Sequence, residues 1–148
     1  MSYLLDTCII SKLRKIQHES NGALKFWILA HPESDYFLSV LTIGEIQAGI
    51  SKLGQREDGK RRIYEDWLLN DLIPRFKDRI LHVDDHTCTI WGEIKGDAYR
   101  RNRTLPVIDS LLAATAIQYN LIFVTENTKD FVDTGVRLVN PFEDHILL

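Results

Sequence analysis

LPVIDSLLAATAIQYNLIFVTENTKDF, residues 105–131, decides the fold. Residues 109–119 read as a helix of small side chains, SLLAATAIQY, suited to close packing against a neighbour. Residues 121–125 follow as a short strand, β-branched at its end. The stretch carries one acid at the start of its helix, Asp109, and a polar group just past its strand: Glu126, Asn127 and Asp130. Buried apolar elements that begin or end in carboxylates pose a problem, because an unpaired buried carboxylate is costly.

Working outward, the same alternation fills the chain. Short apolar runs at 3–5, 36–40, 80–83 and 136–139 read as further strands, the last stopped by Asn140-Pro141. Helical periodicity links them. Leu24, Trp27 and Ile28 share a face over 22–31, and Ile43, Ile46 and Ile50 share one over 42–53. Ile63, Trp67 and Leu68 mark a long pattern over 57–76 that reads as one helix or two. Ile90, Trp91 and Ile94 mark another over 85–101. Thr42 is the expected N-cap of the second of these helices, with Glu45 three residues on as a capping box. Strands alternating with helices predict a single α/β domain over residues 1–148, with a mostly parallel central sheet of about five strands flanked by helices.

Composition narrows the function classes. Apolar residues make up 45% and charged residues 26% of 148, the profile of a soluble globular domain. No window approaches the roughly 18 consecutive apolar residues of a membrane span. Asp6 falls where a secretory signal would place its apolar centre, so no signal peptide is expected. Cys8 and Cys88 are too few for a disulfide framework and lack zinc-site spacing, which points to a reducing cytoplasm. His82 and His86 have no third ligand nearby. The phosphate-binding patterns GxGxxG and GxxxxGK[ST] are both absent, so no nucleotide cofactor is expected. A net charge of −3 does not by itself announce a nucleic-acid partner.

The acids carry the chemical signal. Ligands of open parallel sheets bind outside the carboxyl ends of the strands. Asp6 ends the first strand, Glu45 lies early in the helix after the second, Asp109 starts a helix, and Asp130 follows the strand at 121–125. Taken singly, each reads as a cap or turn residue. Together they place oxygen donors from four segments on one rim, a set suited to Mg²⁺ or Mn²⁺. Without a cation, carboxylates so gathered raise at least one pKa.

These residues resemble the PIN-domain ribonucleases, in particular VapC-type toxins of toxin–antitoxin pairs and their FitB-like branch. YLLDTCIIS (3–11) is similar to the opening motif, with Cys8 where Asn or Ser is usual; Cys8 itself reads as a small packing residue. LSVLTIGEIQAGI (38–50) is similar to the second motif, and residues 105–131 to the third and fourth. The resemblance covers nearly the whole chain. It implies a metal-dependent endoribonuclease that hydrolyses RNA phosphodiesters by metal-activated water, with Asp6, Glu45, Asp109 and Asp130 as catalytic acids. Asp6 and Asp109 would be the principal Mg²⁺ ligands, and Glu45 a direct or water-mediated third. Thr7, Thr125 and Asn127 would support the site. It also implies a VapB-like antitoxin and a homodimer, for which residues 57–76 offer apolar surface. Arg100, Arg101 and Arg103 precede Asp109 and are candidate guides for RNA. The alternative is a PIN fold whose activity has lapsed and which only holds RNA or a protein; Asn127 and Cys8 favour it.

Overall fold

The computed structural model describes residues 1–15, 22–143 and 145–147. Its sheet contains β1 (Tyr3–Leu5), β2 (Tyr36–Ser39), β3 (Ile80–Leu81), β4 (Ile122–Val124), β5 (Leu138–Asn140) and β6 (His145–Leu147), in the order β3-β2-β1-β4-β5-β6. The first five are parallel, and β6 runs antiparallel to β5 at the edge. The pattern of the sequence foretells those five and misses β6, whose three residues are too few to display a period of two.

Helices cover both faces, as a parallel sheet requires. They are α1 (Thr7–Lys15), α2 (Gly22–Leu29), α3 (Val40–Ser51), α4 (Asp58–Trp67), α5 (Ile73–Arg75), α6 (Asp85–Arg100) and α7 (Val107–Gln118). Alternation along the strands splits the core in two. Tyr3, Leu5, Ile122 and Val124 point to one face, where Ile9, Leu24, Trp27, Ile46 and Leu68 cover them. Leu4 and Phe123 point to the other, against Ile94 and Ala98 of α6 and Leu112, Ala113 and Ala116 of α7. The alanines let α7 lie close, and the Trp91 indole N–H donates to Ser110 Oγ at 2.9 Å to tie α6 to it. Between α4 and α5 the chain makes a π-turn over Leu68–Leu72, in which the Ile73 N–H bonds the Leu68 carbonyl. Pro74 lacks the N–H that an α-helix would direct to Asn70, and a widened turn accommodates that loss.

Two helix starts differ from expectation, and both bear on the site. α3 begins at Val40, directly off β2, and its N-cap is Ser39, whose side chain accepts from the Leu41 N–H at 3.0 Å. Thr42 is therefore buried inside the helix and does not cap it, and Glu45 is released from the capping box. α7 begins at Val107 behind Pro106, so Asp109 is its third residue and leaves capping to others. At α6 the cap is Asp84, whose carboxylate accepts from the Thr87 N–H at 3.0 Å. Bonds from Thr87 and then Gln118 hold the Asp84 carboxyl below its ordinary range.

The cap assignment is testable. Ser39→Ala should cost about 1 kcal/mol, lowering the melting temperature by roughly 2–4 °C, whereas a cap at Thr42 would leave stability unchanged on this substitution.

Candidate active site

The strand order reverses at β1, which has β2 on one side and β4 on the other. The crevice at such a switch point is where parallel sheets bind ligands. Leu5 pairs with Val124 in register, so the residues just beyond, Asp6 and Thr125, meet at the carboxyl ends. The Asp6 N–H continues the ladder to the Val124 carbonyl at 3.0 Å, and the Thr125 N–H bonds the Val139 carbonyl at 3.1 Å.

Asp6 is only 8% exposed, and neutral donors satisfy it. Thr125 Oγ1 donates to Asp6 Oδ2 at 2.7 Å, and the Thr7 backbone N–H donates to Oδ1 at 2.8 Å. The Cys8 thiol also donates to Oδ2, at 3.4 Å, and lies 3.9 Å from Thr125 Oγ1. Burial and then the Asp6 charge push the thiol pKa up to about 12, so at neutral pH it remains a donor. Cys8 thus does more than pack: it occupies a polar position as a polar group. Residue order alone carries no sign of this, because the bond depends on the turn from β1 into α1.

Glu45 comes from α3. Thr7 Oγ1 donates to Glu45 Oε1 at 2.6 Å and stands 3.1 Å from Thr42 Oγ1. One hydroxyl on α1 therefore links the two helices at the rim. Asp109 comes from the first turn of α7, where the helix dipole favours an anion. Its pKa is nevertheless raised, by burial first and then by the charges of Asp6, Glu45 and Asp130. Those three carboxylates come from three other segments. Asp130 lies exposed at the end of a 3₁₀ turn, Thr128–Asp130, after β4. Asn127 precedes that turn, exposed, with its N–H on Thr125 Oγ1 at 3.1 Å and its carbonyl accepting from the Asp130 N–H at 3.0 Å. The four acids thus lie close enough to act on one another.

The donor set is all oxygen and carries uncompensated negative charge, which fits a hard divalent cation. Among the described residues, no three His, Cys, Asp or Glu side chains stand together as a ready-made cage. Mg²⁺ keeps several waters and binds through one or two carboxylates. Asp6 and Asp109 are the candidates for this part, and the Thr7 hydroxyl holds Glu45.

Lys12, Arg100, Arg101 and Arg103 pair with other acids. Lys12 of α1 pairs with Glu126 at 2.7 Å, which removes Glu126 from the donor set. The sequence reading missed Lys12, although its place one turn after Cys8 puts both on one face of α1. Arg100 bonds Asp97 at 2.5 Å, Arg101 reaches Asp97 at 3.4 Å and Asp133 at 3.8 Å, and Arg103 pairs with Asp133. Asp97 lies on α6 and Asp133 in the turn Val132–Thr134 after β4.

Comparison with known proteins identifies the family and the fold. The PIN domain family model matches residues 3–136. Toxin FitB of Neisseria gonorrhoeae is 28% identical over 141 residues, 95% of this chain and 99% of that protein. The VapC ribonuclease Y4jK of Sinorhizobium fredii is also 28% identical over 141 residues, 95% of this chain and 97% of its own length. The crystal structure of FitAcB from Neisseria gonorrhoeae matches with a TM-score of 0.83 and 28% identity, covering 95% of this chain and 98% of that one.

The crowding has a sign that can be checked. A raised Asp109 pKa means that the folded chain holds this proton more tightly than the unfolded chain. The stability it contributes is present below the unfolded carboxyl range and lost as pH rises through the raised value. In EDTA at pH 7, Asp109→Asn should therefore raise the melting temperature, by roughly 1–3 °C after allowing for solvent screening. The difference should vanish below about pH 3, well under the ordinary aspartate value of about 3.9, where the carboxyl is protonated in both states.

Proposed function

The chain belongs to the PIN-domain family, and we propose from that premise that it is a divalent-metal-dependent endoribonuclease acting as the toxin of a toxin–antitoxin pair. The observation that carries this reading is the convergence of acids from four segments, in which Asp6, Glu45 and Asp130 lie near enough to the half-buried Asp109 to act on its charge. A structural role alone gives no reason to bring four carboxylates together. The similarity to a protein named as a VapC ribonuclease supports RNA as substrate, and the similarity to toxin FitB supports the toxin role.

Asp6 and Asp109 would hold a Mg²⁺ or Mn²⁺ ion, with Glu45 and Asp130 completing the anionic rim. Such an ion, when bound, lowers the pKa of a water and stabilises charge on a phosphoryl oxygen. The chain's own residues do the rest. Thr125, Cys8 and the Thr7 N–H fix the Asp6 carboxylate without neutralising it. The Thr7 hydroxyl fixes Glu45. Asp130 is exposed on the turn after β4, where an acid would orient the attacking water, and Asn127 would support the site from the start of that turn. The cleavage expected is hydrolytic, leaving a 5′-phosphate and a 3′-hydroxyl.

A lapsed binding module is the weaker alternative. Of the two residues that favour it, Cys8 donates to Asp6, and Asn127 displaces none of the four carboxylates. A toxin requires a protein that restrains it, so an antitoxin of the VapB kind and a second copy of the chain are the expected partners. Ile63 and Leu69, 59% and 57% exposed, give residues 57–76 the apolar surface such contacts need. Among the described residues no helix is long and apolar enough to cross a membrane. The two free cysteines fit a reducing cytoplasm.

Purified protein offered structured RNA with Mg²⁺ or Mn²⁺ should cleave it. Asp6→Asn and EDTA should each reduce the rate by about 100-fold or more. Cleavage that persists under both would sink the mechanism, and tight RNA binding without cleavage would support the lapsed module.

A further inference from the structure

Lys12 stands outside the acid cluster yet touches the turn after β4, which helps to build its rim, and the chain just after β5. Its ammonium group lies 2.7 Å from Glu126 Oε1 and 2.8 Å from Oε2, so it bridges the carboxylate. It also sits 4.9 Å from the centre of the Phe142 ring, just after β5, in cation–π contact. One helical turn earlier, Cys8 contacts Asp6 at 3.4 Å and Thr125 at 3.9 Å. Residues four apart share a helix face, so a single face of α1 grips the chain at Thr125–Glu126. That grip falls where it matters. Thr125 is the hydroxyl that orients Asp6, and Glu126 opens the turn that carries Asn127 and Asp130 to the rim.

We propose that Lys12 is a positioning residue of the metal site: through Glu126 and Phe142 it clamps the turn after β4 so that Thr125 holds Asp6 and Asp130 faces Asp109. The clamp rests on the reading of the four acids as a divalent-cation site. Lys12 acts on the cation only through its partners, and its charge is used on Glu126, leaving the four rim carboxylates anionic. The ion pair is half open to solvent, with side chains 41% and 31% exposed. A pair so exposed shifts a local equilibrium by about fivefold at most, so the clamp tunes the site and does not create it.

A charge swap tests this. Lys12→Glu, Glu126→Lys and the double variant are compared in two measurements: amide hydrogen exchange of residues 125–131 without metal, and Mn²⁺ affinity by electron paramagnetic resonance, both well below the melting temperature. Each single variant should speed exchange in that segment and weaken Mn²⁺ binding by about three- to fivefold, and the double variant should recover both. Unchanged exchange in Lys12→Glu would overturn the clamp. A lowered melting temperature with unaltered Mn²⁺ affinity would also overturn it, because Lys12 would then be structural only. So would single-variant losses that the swap fails to restore, as expected if Lys12 contacted substrate or metal directly. If the wild-type chain binds no Mn²⁺, the metal-site reading fails and with it the positioning role, and the exchange data then show whether the ion pair still orders the turn.

Discussion

Four carboxylates held within each other's fields on one sheet edge are the constraint around which this protein is arranged. Asp109 registers the strain, its pKa raised by burial and by Asp6, Glu45 and Asp130 despite a favourable place at a helix N-terminus. Carboxylates repel, and a fold gains nothing from their proximity unless something else binds there. The parallel sheet makes the convergence possible. Its carboxyl ends all face one way, so segments far apart in sequence deliver their last residues to one rim.

The surroundings preserve this charge. The groups that touch the acids are neutral donors: the Thr125 hydroxyl, the Cys8 thiol and the Thr7 N–H on Asp6, and the Thr7 hydroxyl on Glu45. They fix orientation and leave the net charge in place. Lys12 is bound to Glu126, Arg100 to Asp97, and Arg103 to Asp133. Such a division suits a site that must stay negative until a divalent ion arrives, and a phosphate-bearing substrate could approach only after that.

Much of this was legible in the sequence. Strand and helix periodicity revealed the alternating fold, and the position of Asp6 after its strand pointed to the rim, because both depend on local pattern. Contacts set by tertiary packing were not legible. Ser39 and Thr42 are both acceptable caps in isolation, and only the direct passage from β2 into α3 selects Ser39. Glu126 looked like a spare oxygen donor until α1 brought Lys12 against it, across more than a hundred residues of sequence. Cys8 passed for packing because its bond to Asp6 exists only in the β1–α1 turn. The ion pairs that Arg101 and Arg103 make with Asp133 were likewise hidden, because only tertiary packing brings that turn to the end of α6.

The most direct test of the central claim follows the Asp109 carboxyl carbon by nuclear magnetic resonance during a pH titration, first without metal and then with millimolar Mg²⁺. Asp109 should titrate above the ordinary aspartate value of about 3.9 without metal, and fall below it once Mg²⁺ is added. An ordinary titration that Mg²⁺ leaves unmoved would contradict the account.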